Sequence, residues 1–195
     1  MPKALPRRRD AAATRAAILD SARKAFARAG YDGAGVREIA QGAGVTAMLV
    51  NRYFGSKEKL FAEVLAGVMS APTILSAQIL SSRKRGADMA EALVGLTAPG
   101  AVPLDGFQIM LRSAASERAA AIARVEIEKR YQKVLASALK GRRSAERAAV
   151  VFSLVAGFQV MRQMIGLDAL AGARPAVLAQ VLAPLFEELV GKARS

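Results

Sequence analysis

Polar and apolar side chains with helical spacing follow Thr46. The amide of Asn51 both donates and accepts hydrogen bonds, as the edge of adenine requires, and the guanidinium of Arg52 matches guanine or a phosphate. Ala47 and Met48 offer apolar contacts to thymine methyl groups. Thr46 can cap a helix with its hydroxyl, or donate its hydroxyl or backbone N–H to a phosphate. These residue types predict a surface that reads the edges of DNA bases.

Two short helices and a tight turn, over residues 36–57, are predicted to position these side chains. Their shared apolar core consists of Ile39, Ala40, Ala43, Val45 and Val50. Gly42 and Gly44 lie where the chain bends, and Gly44 occupies a turn position that can need positive φ. Val45 and Val50 anchor the second helix, so the base-contacting candidates face outward. This spacing is used to place a helix in the major groove, and an ordinary helical hairpin in an all-α core is the alternative.

The composition argues against enzymatic chemistry. The 195-residue chain has no cysteine and no histidine, which removes disulfides, thiolate nucleophiles, imidazole bases and the usual zinc or copper ligands. The candidate carboxylate pairs are Glu126 with Glu128 and Glu187 with Glu188. Neither pair converges on one helix face, because neighbours at i+1 and i+2 diverge. We therefore expect no catalytic residue, no metal and no cofactor.

A strong positive charge predicts an anionic partner. The chain carries 29 Lys and Arg against 16 Asp and Glu, a formal net charge of +13. This balance suits nucleic acid or a membrane surface. The excess is densest toward the N-terminus, where a basic tail over residues 1–10 includes Lys3 and Arg7. We expect this tail to be flexible, and it either contacts DNA phosphates or is simply solvated.

Abundant alanine and sparse strand signals predict an all-α fold. Residues 11–68 are expected to form an N-terminal three-helix helix-turn-helix domain, whose last helix links onward. Residues 69–195 are expected to form a larger helical domain. Its predicted helices cover residues 89–96, 104–114, 116–139 and 144–165, and a last helix begins at Pro175, where Pro184 should kink it.

No segment is predicted to target the chain to a membrane. The N-terminus lacks an uninterrupted apolar run before a small-residue cleavage site. The most apolar stretch, residues 148–165, contains Gln159, Arg162 and Gln163, so we expect it to be too polar and too short for a membrane span. Together with the absence of cysteine, these features favour the cytoplasm.

Several motifs over residues 11–65 resemble the N-terminal domain of the TetR family of bacterial transcription regulators. They are a first helix ending in AG-Y, then VREIA, a GAGV turn and NRYFGSKEKLF. The resemblance implies an all-α homodimer whose larger C-terminal domain binds a small effector and thereby changes operator affinity. It also implies that Arg37 reaches a base or phosphate and that Tyr53 and Lys57 anchor phosphates. The sequence departs from the commoner pattern at Met48, Leu49 and Asn51, so the operator sequence does not follow.

Apolar residues beyond residue 69 supply candidates for an effector cavity with one polar contact. They are Met89, Leu93, Phe107, Met110, Leu111, Phe152 and Gln159. Because few charges fall in these segments, a largely apolar or amphiphilic ligand is favoured. The alternative is that these side chains are plain core.

Two C-terminal helices are candidates for the dimer interface. Apolar residues surround nearly the whole helix over residues 150–165, which predicts burial on more than one side. A pair of such helices from each subunit would make a four-helix interface. The candidate interface residues are Val151, Leu154, Val155, Phe158, Met161, Leu178, Val181, Leu182 and Leu185. The alternative is that both helices are buried within one monomer.

The function that these features predict is sequence-specific transcriptional regulation. We expect a homodimeric repressor that binds a double-stranded, palindromic operator, contacts no membrane, and is released by a small, largely apolar effector. The alternative is a basic nucleoid-associated or membrane-surface protein without effector control.

Overall fold

The computed structural model describes residues 7–70, 74–98, 100–101 and 105–191. These residues form helices and no strand, which confirms the all-α prediction. The first helix begins at Arg7, so the end of the expected tail is helical. Residues 1–6 of that tail lie outside the described residues.

The chain divides into two compact units. Unit 1 comprises Met1–Ser70 and Leu104–Glu126, and unit 2 comprises Ala71–Pro103 and Ile127–Ser195. The sequence analysis assigned the segment Leu104–Glu126 to the C-terminal domain, whereas in the structure it packs with the N-terminal helices.

The helices follow one another with short connections. The first four are α1 (Arg7–Gly33), α2 (Val36–Gly42), α3 (Ala47–Phe54) and α4 (Lys57–Val68), and the next four are α5 (Ala77–Ser81), α6 (Arg85–Leu96), α7 (Asp105–Ser113) and α8 (Glu117–Ile127). A π-helical turn (Glu128–Gln132) leads into α9 (Lys133–Ala138), and α10 (Ser144–Gln159) continues into a second π-helical turn (Val160–Ile165). The last two are α11 (Asp168–Ala171) and α12 (Pro175–Val190), which continues as one helix through Pro184.

An aromatic cluster holds α1 to α4 in unit 1. The rings of Phe26 and Tyr31 each meet the Phe61 ring edge-on, with 5.0 Å between centroids. All three side chains are buried, as are Ile18 and Leu60 beside them in the core of this unit. Burying a large apolar side chain contributes roughly 1.5–3 kcal/mol, so this cluster is a main source of stability for unit 1.

Gly30 interrupts α1 where α7 docks on it. It has φ 68° and ψ −175°, a conformation that costs other residues on the order of 1–3 kcal/mol. Beyond the break, the backbone N–H of Tyr31 donates to the Ser113 hydroxyl at 2.9 Å. Arg112 Nη1 donates to the Arg28 carbonyl at 2.8 Å. These contacts explain why α7 belongs to unit 1.

Unit 2 is built on the packing of α6 against α12. The two helices approach closely at Gly86, where a Cβ would lie 2.7 Å from the backbone nitrogen of Glu187. Met89 and Leu93 of α6 and Phe186 of α12 are almost completely buried at this contact. The absence of a side chain at Gly86 therefore lets the larger apolar side chains interdigitate.

One helical segment of the described residues, Ser144–Ile165, is long and apolar enough to cross a membrane by length and composition alone. The expectation that it is too short and too polar is wrong by those measures. In unit 2 its apolar residues face two ways, since Ala148 and Val151 are fully buried whereas Val150 is half exposed. A helix that packs on its own core and against a second surface has the same composition.

The Gly30 break can be tested by thermal unfolding. Gly30→Ala should lower the free energy of unfolding by at least about 2 kcal/mol, because the backbone conformation is strained and the new Cβ would collide with the Arg112 carbonyl. The control is Gly67→Ala in α4, where a Cβ would meet nothing within 4 Å. This substitution should raise the free energy of unfolding by about 0.5–1 kcal/mol. Equal stability of the two variants would contradict the role of Gly30.

Candidate nucleic-acid interface

The turn between α2 and α3 is a Schellman motif. The backbone N–H of Val45 donates to the Ala40 carbonyl at 2.9 Å, and that of Gly44 donates to the Gln41 carbonyl at 3.0 Å. Gly44 has φ 67°, the left-handed conformation that this motif requires and that glycine adopts without cost. The turn position predicted for Gly44 is thereby confirmed.

A hydroxyl of α1 fixes α2 at the base of this motif. Ser21 is buried and its Oγ donates to the Ile39 carbonyl at 2.8 Å. The same Oγ lies so close to Gly42 that a Cβ on Gly42 would collide with it. The sequence analysis missed Ser21, although its spacing from Ile18 and Ala25 places it on the buried face of α1.

Thr46 begins α3 in the predicted way. Its Oγ1 accepts a hydrogen bond from the Leu49 backbone N–H at 3.3 Å, which is the N-cap interaction. The hydroxyl oxygen is therefore engaged within the protein. The first backbone N–H groups of α3 lack partners within the helix and remain suited to a phosphate.

One face of α3 is anchored and the other is open. Val50 and Phe54 are buried in the core of unit 1. Asn51 and Arg52 are exposed, and Met48 is 82% exposed. A methionine that is so exposed on a short helix offers its apolar surface to an outside partner.

The remaining predicted contacts flank this face. Arg37, near the start of α2, is exposed, whereas Ala47 and Tyr53 are partly exposed. Arg37 and Arg52 form no ion pair among the described residues. Their charges are therefore uncompensated at short range, as contacts to phosphate require.

Lys57 has a second role that the sequence did not indicate. Its side chain is partly exposed, and its Nζ lies 4.6 Å from the centroid of the Tyr31 ring, a cation–π contact. Burial, and then a hydrogen bond with Glu58, raise the pKa of the Tyr31 hydroxyl, so the ring stays neutral at physiological pH. Lys57, the first residue of α4, thus packs on the aromatic cluster of unit 1.

The predicted effector-lining residues do not form one lining. Met89, Leu93, Phe152 and Gln159 belong to unit 2, whereas Phe107, Met110 and Leu111 lie on α7 in unit 1. Helix α7 uses its apolar face to dock on α1, and Leu111 is 40% exposed. Unit 2 has an open groove of about 490 Å³ with none of the predicted residues in its wall. That groove is lined by Ala87, Glu91, Val94, Gly95, Pro175, Ala176, Ala179, Gln180 and Ala183.

The predicted dimer residues divide between two faces. Four of them, Val151, Phe158, Leu178 and Leu182, are buried in the core of unit 2 and cannot contact a partner. Met161, Val181 and Leu185 are exposed, and Leu154 and Val155 are partly exposed. Val150, Met164, Ile165 and Val177 belong to the same apolar helices and are exposed, but they were not among the candidate interface residues.

The exposed apolar residues form a stripe on each helix. On α10 and its π-helical turn the stripe consists of Val150, Leu154, Gly157, Met161 and Ile165, and on α12 it consists of Val177, Val181 and Leu185. The spacing of three or four residues keeps each stripe on one helix face. The same spacing in the sequence distinguishes two apolar faces of α10, but it does not show which of them is buried.

The geometry of α2, the turn and α3 defines a helix-turn-helix DNA-binding domain. The model of bacterial regulatory proteins of the tetR family matches residues 18–64. A second model, described as tetracyclin repressor-like, C-terminal domain, matches residues 84–190. The chain belongs to the TetR family of transcriptional regulators, which are DNA-binding proteins and not enzymes.

Solved structures share this fold at low sequence identity. A TetR-family regulator from Streptomyces coelicolor is 24% identical, with 92% of this chain and 95% of that chain covered and a TM-score of 0.59. NalD, the secondary repressor of the MexAB-OprM multidrug efflux pump in Pseudomonas aeruginosa, is 20% identical, with 95% and 100% covered and a TM-score of 0.66. No curated protein matches the chain.

Two substitutions test the predicted base contact and the predicted phosphate contact separately. Asn51→Ala should relax the preference at one base pair, because a bidentate amide contact discriminates by about 1–3 kcal/mol. Lys57→Ala should weaken binding to every duplex and lower the salt slope by about one. Fluorescence anisotropy on specific and random duplexes at several salt concentrations measures both effects.

The control for lost charge is Lys140→Ala, which removes an exposed lysine of unit 2. Thermal unfolding of Lys57→Ala separates its DNA effect from loss of the Tyr31 contact. If Asn51→Ala lost equal affinity for specific and random duplexes, its reading role would be refuted.

Proposed function

We propose that this regulator is a repressor that binds a palindromic operator as a homodimer and leaves it when a small effector binds in unit 2. The observation that carries the proposal is the open face of α3, where Asn51, Arg52 and the 82%-exposed Met48 lie opposite two buried anchors. Repression is the usual activity in the family, and the structurally similar NalD is a repressor by its description.

DNA reading is assigned to the exposed face of α3. Asn51 reads adenine, Arg52 reads guanine or binds phosphate, and Met48 with Ala47 contacts thymine methyl groups. Contacts to phosphates are assigned to Arg37, Thr46, Tyr53 and Lys57, with Thr46 acting through its backbone N–H because its hydroxyl caps α3.

Dimerisation is assigned to the two exposed stripes. Val181 is 61% exposed and Ile165 is 63% exposed, and a row of exposed apolar side chains, unlike a single one, is typical of an interaction surface. Two helices from each subunit would bury the stripes in a four-helix interface. Because such a pair has two-fold symmetry, the operator should be a palindrome.

Selection of binding sites from random duplexes tests the proposed function. The expected result is a palindrome whose half-sites are one or more helical turns apart, bound with a clear preference over random DNA. Weak preference among duplexes, or equally tight binding to anionic lipid vesicles, would favour the basic nucleoid or membrane-surface alternative. A reporter gene placed behind the selected site then distinguishes repression from activation.

The dimer assignment predicts the effect of a single charge. Val181→Glu should convert the dimer to a monomer and weaken binding to the palindrome by on the order of 100-fold, because the second half-site is no longer bound intramolecularly. The control is Val125→Glu in α8, since Val125 is also a valine and is 59% exposed but lies outside the stripes.

Analytical ultracentrifugation and anisotropy on one palindrome measure the two effects. A Val181→Glu protein that stays dimeric, or a Val125→Glu protein that dissociates to the same extent, would contradict this assignment.

A further inference from the structure

Arg162 is a buried cation without a counter-ion in unit 2. The residue is only 4% exposed, and it forms no ion pair with any carboxylate of the described residues. Burial lowers the pKa of its guanidinium, yet an arginine keeps its proton at neutral pH. Within the described residues, a positive charge is therefore held inside unit 2 without a paired carboxylate, although the Phe158 ring lies under it with 5.7 Å between the ring centroid and Arg162 Cζ.

Neutral acceptors fix the guanidinium on one side. Nη1 donates to the Val94 carbonyl at 2.7 Å and to Thr97 Oγ1 at 2.9 Å, and Nε donates to the Leu170 carbonyl at 3.2 Å. Thr97 Oγ1 in turn donates to the Leu93 carbonyl at 2.7 Å. The orientation of the guanidinium is thus set before any ligand arrives.

The other side of the guanidinium is unsatisfied. Nη2 is fully buried and has no hydrogen-bond partner among the described residues. Burying a charged donor in this state is costly, and one-sided removal of a charge partner costs several kcal/mol in proteins. An unsatisfied buried donor calls for an explanation, and a ligand that supplies the missing partner is one.

A second polar residue of the same helix is buried near Arg162 in the sequence. Arg162 lies within the π-helical turn Val160–Ile165, which ends the helix at Gly166. Gln159, three residues earlier, is also only 4% exposed. Residues three apart lie on the same side of a helix, so the Gln159 amide is the nearest candidate along the chain for a second donor to an anion at Arg162.

The open groove of unit 2 shares Val94 with this arrangement. Val94 lines the groove, and its carbonyl is the Nη1 acceptor of Arg162. Glu91 also lines the groove, but it is exposed and its charge is screened by water. Apart from Glu91 and Gln180, the wall of the groove is apolar, which suits a hydrocarbon or aromatic body.

We propose that the effector of unit 2 is an organic monocarboxylate with an apolar body, whose carboxylate binds Arg162 Nη2. One buried guanidinium balances one negative charge, so a singly charged carboxylate fits better than a doubly charged phosphate ester. Nη2 keeps both of its N–H donors for the carboxylate, and such charge-assisted hydrogen bonds are stronger than neutral ones. This inference rests on the proposed effector control of the regulator and specifies the chemical class of the effector.

Matched acid and amide pairs test the proposal on the full-length protein. The probes are octanoate, benzoate and phenylacetate, each compared with its neutral amide. Octyl phosphate, which is doubly charged, is compared with octanoate. At least one acid, at a concentration one hundred times its Kd, should raise the Tm by about 5 °C or more. Its amide should bind about tenfold more weakly or worse by isothermal titration calorimetry.

Variants test whether the preference for the acid over its amide depends on Arg162. Arg162→Met should abolish the difference between acid and amide, and Arg162→Lys, which keeps the charge, should retain part of it. Gln159→Leu should weaken acid binding less than Arg162→Met. The control is Arg142→Met, which removes an exposed charge of the same unit and should change nothing.

Several outcomes would overturn the inference. They are no stabilisation by any of the three acids, equal stabilisation by acids and amides, tighter binding of octyl phosphate, or an unchanged acid preference in Arg162→Met. If Arg162→Met does not fold, the acid-to-amide ratio in the wild type and its reduction in Arg162→Lys decide the question.

Operator release is measured separately on a selected palindrome. An acid that binds through Arg162 but leaves DNA affinity unchanged would refute effector control while the ligand class stands. A neutral compound that binds and releases the operator would support effector control and refute the carboxylate.

Discussion

The orientation of α3 depends on packing that lies outside α3. Only Val50 and Phe54 of this eight-residue helix are buried, and an isolated helix of that length is unstable in water. Its direction is therefore set by the Schellman turn at Gly44 and by the attachment of α2 to α1 through Ser21. The aromatic cluster around Phe61 makes this support rigid, so that the reading face is presented in one orientation.

The basic side chains of unit 1 fall into two groups, those paired with an acid on another helix and those without an acidic partner among the described residues. Arg15 pairs with Glu63, Arg23 with Asp105 and Arg28 with Glu38, which are contacts between helices. Exposed pairs contribute only about 0–1 kcal/mol each, so these pairs add little stability and neutralise positive charge between helices. Lys24, and then Arg23, hold the pKa of Asp20 below its usual range, which keeps that acid ionised beside them. By contrast, Arg37 and Arg52, which are proposed to contact DNA, have no acidic partner among the described residues.

The sequence predicts what local signals encode. Glycine at a turn, Thr46 before a helix and apolar residues at helical spacing placed α2 and α3 within residues 36–57, because caps and turns act over a few residues. The placement of α7 was not predictable in this way. It depends on Tyr31 meeting Ser113, 82 positions away, and no periodic pattern reports such a contact. For α10, both faces are apolar, so composition indicated two buried sides without telling the inner face of Val151 from the outer face of Val150. Arg162 appeared only as a polar interruption, since burial without a partner is a property of the packed unit.

The segment Val160–Ile165 joins the two proposed functions of unit 2. Arg162 points to the interior and is the proposed carboxylate partner, whereas Met161 and Ile165, its neighbours in the same π-helical turn, lie on the exposed stripe. A π-helical turn is a less favourable arrangement than a regular α-helical turn and can adjust locally. An anion that accepts a hydrogen bond from Nη2 therefore acts on the backbone segment that carries Met161 and Ile165, two residues of the proposed interface. Differential binding of a ligand to two arrangements of this turn is enough to shift the dimer geometry, because a ligand moves an equilibrium by its difference in affinity for the two states. The proposed effector site and the proposed interface thus need no long pathway between them in this unit, since both use residues of the six-residue turn Val160–Ile165.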